Sequence, residues 1–341
     1  MQTGSFDLLT PEIVIRAIEQ SYAVTLDGTV TPYPSYINRV YGLRTQDGAG
    51  LVAKFYRPGR WDREAILDEH EFIADCAGMD VPVAVPLPDA EGGTLCEAGV
   101  SGPNAEASYA YALFPQMGGR NFDAESDEDY YRLGAVVGRC HVAGKKREAE
   151  HRVIIHPALS TRSYLTELLE ADLIHPYCRD EFERICSGLI EIIAALFDKA
   201  ERHRLHGDCH RGNILDRGGE GLLIYDFDDM ANGPAVQDLW LLLPDYMKNS
   251  RRELINILDG YGQFCDIDTS SLWLIEPLRF MRMIYFLVWQ ARQRSDYWFQ
   301  GSHPDWGSEA FWIKEIEDVK TQRDIILEAL DAEEGTAGMN E

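Results

Sequence analysis

Residues 206–213 read HGDCHRGN, and thirteen positions after the end of this run the apolar stretch 222–225, LLIY, ends in Asp226. An Asp, an Asn five positions later and a second Asp after a short strand are the groups that phosphoryl transfer needs. One carboxylate orients the acceptor hydroxyl and receives its proton, while oxygen ligands hold magnesium on the nucleotide's β- and γ-phosphates. A loop followed by a hairpin places such side chains around one point. The spacing therefore predicts Asp208 as catalytic base, and Asn213 and Asp226 as metal ligands.

The bulk composition is that of an acidic globular protein. Hydrophobic residues make up 45% and charged residues 26% of the 341 positions, which is ordinary for a soluble chain. Asp and Glu number 57 against 32 Lys and Arg, so the formal net charge is −25 at pH 7. Such a surface repels nucleic acid and anionic membranes, so we expect neither as a partner.

The cysteines and the apolar stretches indicate a cytoplasmic protein. The seven cysteines are scattered and form no Cys-x-x-Cys pair, which argues against a disulfide framework or a zinc site and fits a reducing compartment. The first twenty residues carry acids and lack the apolar region of a signal peptide. The apolar stretch 278–288 is interrupted by Arg279 and Arg282, which excludes a simple membrane span. We expect a cytoplasmic monomer.

The chain changes character after its first third. Residues 33–56 predict a β-hairpin, residues 62–76 a helix, and residues 109–114 the last strand of a second hairpin. From about residue 126 onward the pattern is mostly helical, apart from a loop and hairpin at 206–229. A β-rich first third followed by a helical remainder predicts an α+β fold with two lobes.

The predicted division has three parts, because 341 residues exceed what one compact core usually holds. Residues 1–115 are predicted to form a small, β-rich N-terminal lobe that binds nucleotide. Residues 116–330 are predicted to form a larger, mainly helical C-terminal lobe that carries the catalytic and substrate sites. Residues 331–341 form an acidic, glycine-containing tail, which we expect to be frayed.

A lysine in an apolar strand and a glutamate in the following helix form a predicted ion pair. Lys54 lies in the run VAKFY at 52–56, and on this string alone it could equally be an outward-facing strand charge. At about 100° per residue, Glu69 lies at the centre of an apolar arc, whereas Glu71 points to the opposite side. A carboxylate in a buried stripe is costly without a partner. Lys54 is therefore predicted to pair with Glu69 and to face the nucleotide's α- and β-phosphates. The arc contains Ala65, Ile66, Phe72, Ile73 and Cys76.

Two further segments are candidates for nucleotide contacts. The run SYINR at 35–39 lacks a Gly-x-Gly-x-x-Gly pattern, but Ser35 and the neighbouring backbone N–H groups could cradle phosphate. A plain polar turn is the alternative. The run FPQM at 114–117 lies between the predicted lobes, where the backbone of Gln116 and Met117 could hydrogen-bond an adenine edge.

Residues around the proposed base have predicted supporting roles. Asp238 could be only the first-turn acid of a helix, but we favour a role in bracing the backbone of the 206–213 loop. His206 is predicted to be a packed, structural histidine. His210 and Cys209 have no predicted role, since nothing nearby would activate the thiol.

A helix predicted over 278–292 would carry Arg282, Tyr285, Trp289 and Arg292 on one face. Such a basic and aromatic stripe could line an acceptor site. The alternative, favoured by the abundance of acids, is a core helix whose arginines pair with carboxylates.

Several stretches carry a family resemblance: SYINRVY (35–41), KFYRP (54–58), EH (69–70), VPVA (81–84), GGR (118–120), HGDCH (206–210), GN (212–213), DD (228–229) and NGPAVQDLW (232–240). The pattern resembles the aminoglycoside-phosphotransferase-like branch of the protein-kinase superfamily, and within it the bacterial stress response kinase A group of Ser/Thr protein kinases. The resemblance covers nearly the whole chain.

The resemblance implies a bilobal protein-kinase-like fold with a five-stranded small lobe. It implies ATP as co-substrate, Mg2+ as cofactor, and in-line transfer of the γ-phosphate to a Ser or Thr hydroxyl of a protein substrate. It further implies Ser35 at the ATP site, Asp208 as proton acceptor, and Asn213 and Asp226 as metal ligands. The implied cellular role is in the stress response and in protection from stress-induced cell death.

Two departures from ordinary protein kinases leave the acceptor open. Asp228 replaces the Gly of Asp-Phe-Gly, and eleven residues separate Asp226 from Asp238, too few for a long activation segment. A small-molecule kinase of the aminoglycoside, choline or homoserine type is therefore the alternative. A catalytically silent nucleotide-binding adaptor is a third possibility, against which the complete set of proposed site residues argues. That set is Lys54, Glu69, Asp208, Asn213 and Asp226.

Overall fold

The N-terminal part of the chain forms a helix and an antiparallel five-stranded sheet. Helix α1 spans Pro11–Ser21, with a proline in its first turn. The strands are β1 (Leu26–Tyr33), β2 (Arg39–Thr45), β3 (Gly50–Phe55), β4 (Cys96–Ser101) and β5 (Glu106–Pro115), in the spatial order β1-β2-β3-β5-β4. The computed structural model describes residues 6–35, 37–102, 106–294 and 297–337, and only the backbone of 297, 298, 300 and 332–337.

Strand β3 lies in the middle of this sheet, between β2 and β5. The hairpin predicted at 33–56 is observed as β2 and β3, which pair in antiparallel register. Strand β1 was not predicted from the sequence. It is an edge strand, mostly exposed, and contains Gly28 and Pro32, so it shows neither the alternation nor the composition of a half-buried strand.

Helix α2 spans Arg63–Ala77 and begins where the sequence predicts. The side chain of Asp62 accepts a hydrogen bond from the backbone N–H of Ala65 at 2.8 Å, which caps the first turn. Glu69 lies on the buried face of the helix, and Glu71 is exposed. The helical periodicity therefore placed both glutamates correctly.

The first of two compact units extends beyond the N-terminal 123 residues, because residues 142–152 and 211–230 belong to it. A second, three-stranded sheet in this unit consists of β6 (Arg120–Asn121), β8 (Ile214–Asp216) and β9 (Leu222–Ile224), in the order β6-β8-β9. Val83 bridges to Ile224 of β9. The division predicted at residues 115 and 116 remains a sequence-based expectation.

The second unit comprises residues 124–141, 153–210 and 231–341, and it is mainly helical. A large buried apolar cluster in this unit draws on the long helices α5, α8 and α10. Two short strands, β7 (His203–Leu205) and β10 (Ala231–Gly233), pair in antiparallel register. The helices are α3 (Asp127–Gly144), α4 (Arg162–Glu170), α5 (Pro176–Phe197), α6 (Val236–Trp240), α7 (Arg251–Tyr261), α8 (Ile275–Gln293), α9 (Tyr297–Ser302) and α10 (Glu309–Ala337).

The structure confirms the predicted α+β class, with a β-sheet part and a helical part, 50% helix and 17% strand. Helix α10 continues to Ala337, and residues 338–341 of the predicted tail lie outside the described residues. Within the described ranges, the helices are too short or too polar to cross a membrane.

Candidate functional site

Strand β3 and helix α2 of the first unit bring Lys54 and Glu69 together. The Lys54 ammonium donates a hydrogen bond to Glu69 Oε1 at 2.9 Å, and the two side chains are 10% and 1% exposed. The central position of β3 pairs Lys54 with Val40 and Ala112 and fixes its direction. Burial alone would lower the pKa of Lys54, but the neighbouring carboxylates, Glu69 foremost, raise it well above its usual value. Lys54 is therefore a fixed ammonium.

A second cation on Glu69, Arg152, was missed in the sequence analysis. Its Nη2 donates to Glu69 Oε2 at 2.9 Å, so each oxygen of the carboxylate faces a cation. The same guanidinium donates to the backbone oxygens of Ala65 at 2.8 Å and Asp228 at 2.7 Å, and it lies 4.3 Å from the Trp61 ring. The Arg152 side chain has no solvent exposure. The local sequence of 142–152 carries no signal for this role.

Two acids after strand β9 also face the Lys54 ammonium. Its Nζ lies 3.8 Å from Asp226 Oδ1 and 3.4 Å from Asp228 Oδ1. Asp228 further accepts hydrogen bonds from Asn38 Nδ2 at 2.9 Å and Arg60 Nε at 2.8 Å. Burial alone would raise the pKa of Asp228, but Lys54, Arg60 and Asn38 lower it far below its usual range. Asp228 is thus the centre of a buried ionic network, although the local sequence does not predict its ion pairs.

Asp226 differs from Asp228 in having accessible oxygens. Its side chain is 52% exposed, and its backbone has a left-handed φ of 62°, which is strained for a residue other than glycine. Partial removal from water raises the pKa of Asp226; Lys54 opposes this rise, and the Asp228 and Glu69 carboxylates add to it. A divalent cation would relieve the repulsion among these carboxylates.

Asn213 lies at the same end of the β8–β9 ladder as Asp226. It precedes β8 directly, and its backbone oxygen accepts a hydrogen bond from Tyr225 N–H at 3.1 Å. An amide oxygen and a carboxylate are hard donors that suit Mg2+, so the residues present fit the predicted metal. Within the part of the chain that the structure describes, no group of three or more His, Cys, Asp or Glu side chains is arranged to hold a metal ion.

The other residues predicted to contact nucleotide lie in segments that adjoin strands of the five-stranded sheet. Ser35 is half-buried and lies between β1 and β2, next to Tyr36, which falls outside the described residues. Arg57 Nε donates to the Ile37 oxygen at 2.9 Å, which ties down the end of this loop. Gln116 and Met117 follow β5 directly; Gln116 is exposed and its backbone N–H bonds to the Gly50 oxygen at 3.0 Å.

Asp208 lies in the second unit, in the loop after β7. Arg282 Nη2 donates a hydrogen bond to its Oδ1 at 2.5 Å, and His210 Nε2 lies 3.5 Å from its Oδ2. The Asp208 N–H donates to His206 Nδ1 at 3.3 Å, and His206 is fully buried. Burial alone would raise the pKa of Asp208, but His210, Arg282 and His206 lower it to about 2. Asp208 is therefore a carboxylate at neutral pH.

The backbone before Asp208 is held by Asp238, at the start of α6. The two oxygens of Asp238 accept hydrogen bonds from the N–H groups of His206 at 2.8 Å and Gly207 at 2.9 Å. His141 Nε2 lies 3.0 Å from Asp238 Oδ2, and Gln237 Nε2 donates to the Gly207 oxygen at 3.0 Å. His141 and Gln237 were missed because these contacts join residues far apart in sequence. Cys209, in the same loop, is buried, and burial raises the pKa of its thiol well above its usual value, so it is not a nucleophile.

The side chains of the stripe predicted on α8 contact neighbouring side chains. Arg282 lies 5.6 Å from the Tyr285 ring, and the rings of Tyr285 and Tyr164 are 5.5 Å apart. Trp289 stacks on Phe286 at 5.3 Å. The arginines pair with acids, Arg292 with Glu167 and Arg282 with Asp208. The stripe thus packs partly against α4, while one end of it contacts the proposed base.

The sequence-predicted residues fall into two groups. The first unit brings together Lys54, Glu69 and Asp226, with Asn213 at the same end of the hairpin. The second unit brings together the residues that surround the proposed base, namely Asp208, His206, Asp238 and Arg282.

Comparisons with known proteins show what this chain is similar to. The family described as "Phosphotransferase enzyme family" matches residues 29–273. Stress response kinase A of Escherichia coli (strain K12) is 36% identical over 329 residues, which cover 95% of each chain. Serine/threonine protein kinase RdoA of Salmonella typhimurium (strain LT2) is 36% identical over 330 residues, again 95% of each chain. Among solved structures, amicoumacin kinase hAmiN in complex with AMP-PNP, Ca2+ and Ami superimposes with a TM-score of 0.69 at 18% identity, covering 90% of this chain and 93% of that one.

Proposed function

The chain belongs to the phosphotransferase enzyme family, and from this premise we propose that it is an ATP- and magnesium-dependent Ser/Thr protein kinase of the bacterial stress response. The observation that carries the proposal is the buried Lys54–Glu69 pair, whose ammonium lies 3.8 Å from Asp226. A fixed ammonium beside an accessible carboxylate is what nucleotide phosphates and their metal require.

The first unit supplies the proposed nucleotide-binding residues. Lys54 would bind the α- and β-phosphates, and Glu69 would hold its ammonium in place. Asn213 and Asp226 would hold Mg2+, which when bound neutralises charge on the phosphates. Ser35 and the backbone N–H groups near it would contact phosphate, and the backbone of Gln116 and Met117 would hydrogen-bond the adenine. Exposed oxygens on Asp226 and a half-buried Ser35 support these roles.

The second unit supplies the proposed base. Asp208 would orient the acceptor hydroxyl and take up its proton as the hydroxyl oxygen bonds to the γ-phosphorus. The bond from that phosphorus to the β–γ bridging oxygen breaks, and ADP leaves with the bonding pair. A carboxylate with a pKa of about 2 is ready to accept at neutral pH. Asp238 keeps the loop backbone fixed through two hydrogen bonds.

A protein acceptor and a stress-response role are supported by the relatives. Two proteins 36% identical over 95% of the chain are named stress response kinase A and serine/threonine protein kinase RdoA. A small-molecule acceptor is the second candidate. It is favoured by the fold shared with the amicoumacin kinase and by the eleven residues between Asp226 and Asp238, which leave no room for a long peptide-binding segment.

The test uses purified protein with γ-labelled ATP, Mg2+, and either casein or a cell extract. Wild-type protein is expected to label itself or a Ser-containing protein, and Asp208→Ala to abolish the label. The control Asp324→Ala, which replaces an acid on α10 that is 60% exposed, should retain it. If no protein is labelled but the enzyme releases ADP from ATP when a metabolite is added, the acceptor is a small molecule. Stabilisation by ATP without any ADP release would identify the silent adaptor instead.

A further inference from the structure

Asp208 accepts a hydrogen bond from a residue outside the 206–213 loop, Arg282 of helix α8. We propose that Arg282 is a positioning residue for Asp208, which it holds as an oriented carboxylate through a hydrogen-bonded ion pair from helix α8. This inference rests on the proposed function, in which Asp208 receives the acceptor's proton.

The geometry separates Arg282 from an ordinary surface pair. Its Nη2 donates to Asp208 Oδ1 at 2.5 Å, with side-chain exposures of 26% and 19%. The opposite side of α8 is deeply buried, with Phe280 and Ile284 fully inaccessible and Met281 at 5%. An arginine on a 19-residue helix anchored in the core is a firmer support than the loop itself.

The pair fixes the direction of the Asp208 carboxylate. A carboxylate offers about four lone-pair sites on two oxygens. Arg282 engages one site on Oδ1, and His210 lies 3.5 Å from Oδ2. The bond to Arg282 restricts rotation of the carboxylate, so both of its oxygens keep one direction.

Several charged groups surround Asp208 from the elements packed against it. His206 and His210 come from its own loop, and Arg282 comes from α8. Asp238 of α6 lies beside the loop backbone and binds the N–H groups of His206 and Gly207. Of these groups, Arg282 is the permanent cation, because a guanidinium keeps its proton in proteins.

The first experiment measures the Asp208 carboxyl directly, by carbon NMR titration of Asp-labelled protein with the signal assigned through Asp208→Asn. We expect Arg282→Gln to raise the Asp208 pKa by about one unit or more, since an opposite charge within hydrogen-bond distance shifts a carboxyl by roughly one to three units. Arg279→Gln is the matched control. Arg279 lies one turn earlier on α8, is 23% exposed, and pairs with Glu276 rather than Asp208, so its loss should leave the Asp208 signal unchanged.

The second experiment measures phosphotransfer. Arg282→Gln should lower kcat about 10- to 100-fold with little change in the KM for ATP, and Arg282→Lys should recover part of the loss, because lysine keeps the charge but not the planar fork. The acid limb of the pH–rate profile should move to higher pH in Arg282→Gln, because a weaker cation field lets Asp208 protonate earlier. Arg279→Gln should match wild type in all three measures.

An unchanged Asp208 pKa in Arg282→Gln, together with a kcat within about threefold of wild type, would overturn the inference. If Arg282→Gln does not fold, Arg282→Lys decides: a fall in kcat of about fivefold or more supports positioning, and no change rejects it. Failure of the proposed function is a separate outcome. In that case wild type transfers no phosphate to any acceptor, while the titration still decides whether Arg282 controls Asp208.

Discussion

Glu69 illustrates how single residues set up the first unit, because a carboxylate that is 1% exposed is stable only with charge-assisted partners on both oxygens. Lys54 takes Oε1 and Arg152 takes Oε2, each at 2.9 Å. Arg152 also holds the backbone of α2 and of the loop after β9 through Ala65 and Asp228. Arg152 thus holds in place both α2 and the loop after β9, which direct the Lys54 ammonium.

Replacing Arg152 by methionine should therefore destabilise the protein strongly. Three acceptors would lose their donor inside the protein, and breaking a buried ion pair costs about 3–5 kcal/mol. Urea denaturation measures this cost. The thermal shift on adding ATP should also shrink, because Glu69, the partner of Lys54, is no longer held by Arg152. Arg147→Met is the control, because Arg147 lies in the same segment but is 48% exposed, and exposed pairs contribute about 0–1 kcal/mol. Equal effects of the two variants would contradict this role for Arg152.

Asp226 should show a conflict between stability and activity. Its pKa is raised by partial burial and by neighbouring carboxylates, so its charge is unfavourable in the folded protein without metal. Asp226→Asn should raise the melting temperature of the metal-free protein and lower phosphotransfer by roughly 100-fold or more, with a weaker response to added Mg2+. Calorimetry and a Mg2+ titration of ADP release would measure both effects. A variant less stable than wild type would speak against this view of the site.

The buried side chain of His70 should make the free energy of unfolding depend on pH. It is 3% exposed and bonds to Tyr56 and Thr94, both at 2.9 Å. Burial lowers the pKa of His70 to about 4 from 6.5. Its folded-state pKa is depressed, so its contribution is complete above about pH 6.5 and is lost as pH falls toward about 4.

Between pH 7 and pH 4.5, wild type should lose about 2 kcal/mol of unfolding free energy more than His70→Gln does, measured by urea denaturation at both pH values. His151→Gln is the control, since His151 is exposed in the same unit. Parallel pH profiles for wild type and His70→Gln would show that His70 is not the titrating group.

At the scale of elements, two helices of the second unit approach each other closely enough to require glycine. A Cβ on Gly134 of α3 would lie 1.9 Å from the Ile257 oxygen, and a Cβ on Gly260 of α7 would lie 2.0 Å from the Tyr131 oxygen. The same helices bring together Tyr261 and His141, which bonds to Asp238. The close approach therefore supports the hydrogen bonds by which Asp238 holds the backbone of the 206–213 loop.

Gly134→Ala or Gly260→Ala should each cost about 3 kcal/mol or more, because backbone atoms cannot move aside as a flexible side chain can. Gly188→Ala in α5 is the control. A Cβ there meets nothing within 4 Å, and alanine in a helix should stabilise by up to about 1 kcal/mol. Thermal unfolding of the three variants compares them, and a neutral Gly134→Ala would show that the two helices can separate without cost.

At the scale of the whole molecule, the sequence was informative wherever the signal was local. The α+β class and the membership in the phosphotransferase and stress response kinase families were predicted and are confirmed. The helical period placed Glu69 inside and Glu71 outside.

Strand β1 was missed because an exposed edge strand has no alternating pattern. Arg60, Arg152 and Arg282 were not assigned to their acids because those partners lie 74 to 168 residues away, a separation at which no local period operates.

The anchoring of Asp228 has a consequence for control. Where a glycine would let the peptide after Asp226 turn over, this chain has a side chain fastened to Lys54, Arg60 and Asn38, with Arg152 on its carbonyl oxygen. Inverting that peptide would separate Asp228 from the buried charges of Lys54 and Arg60. We therefore expect this loop to keep one conformation, so that its inversion does not serve as an off switch. Inhibitors that bind only when the loop after Asp226 is inverted are expected not to bind this protein.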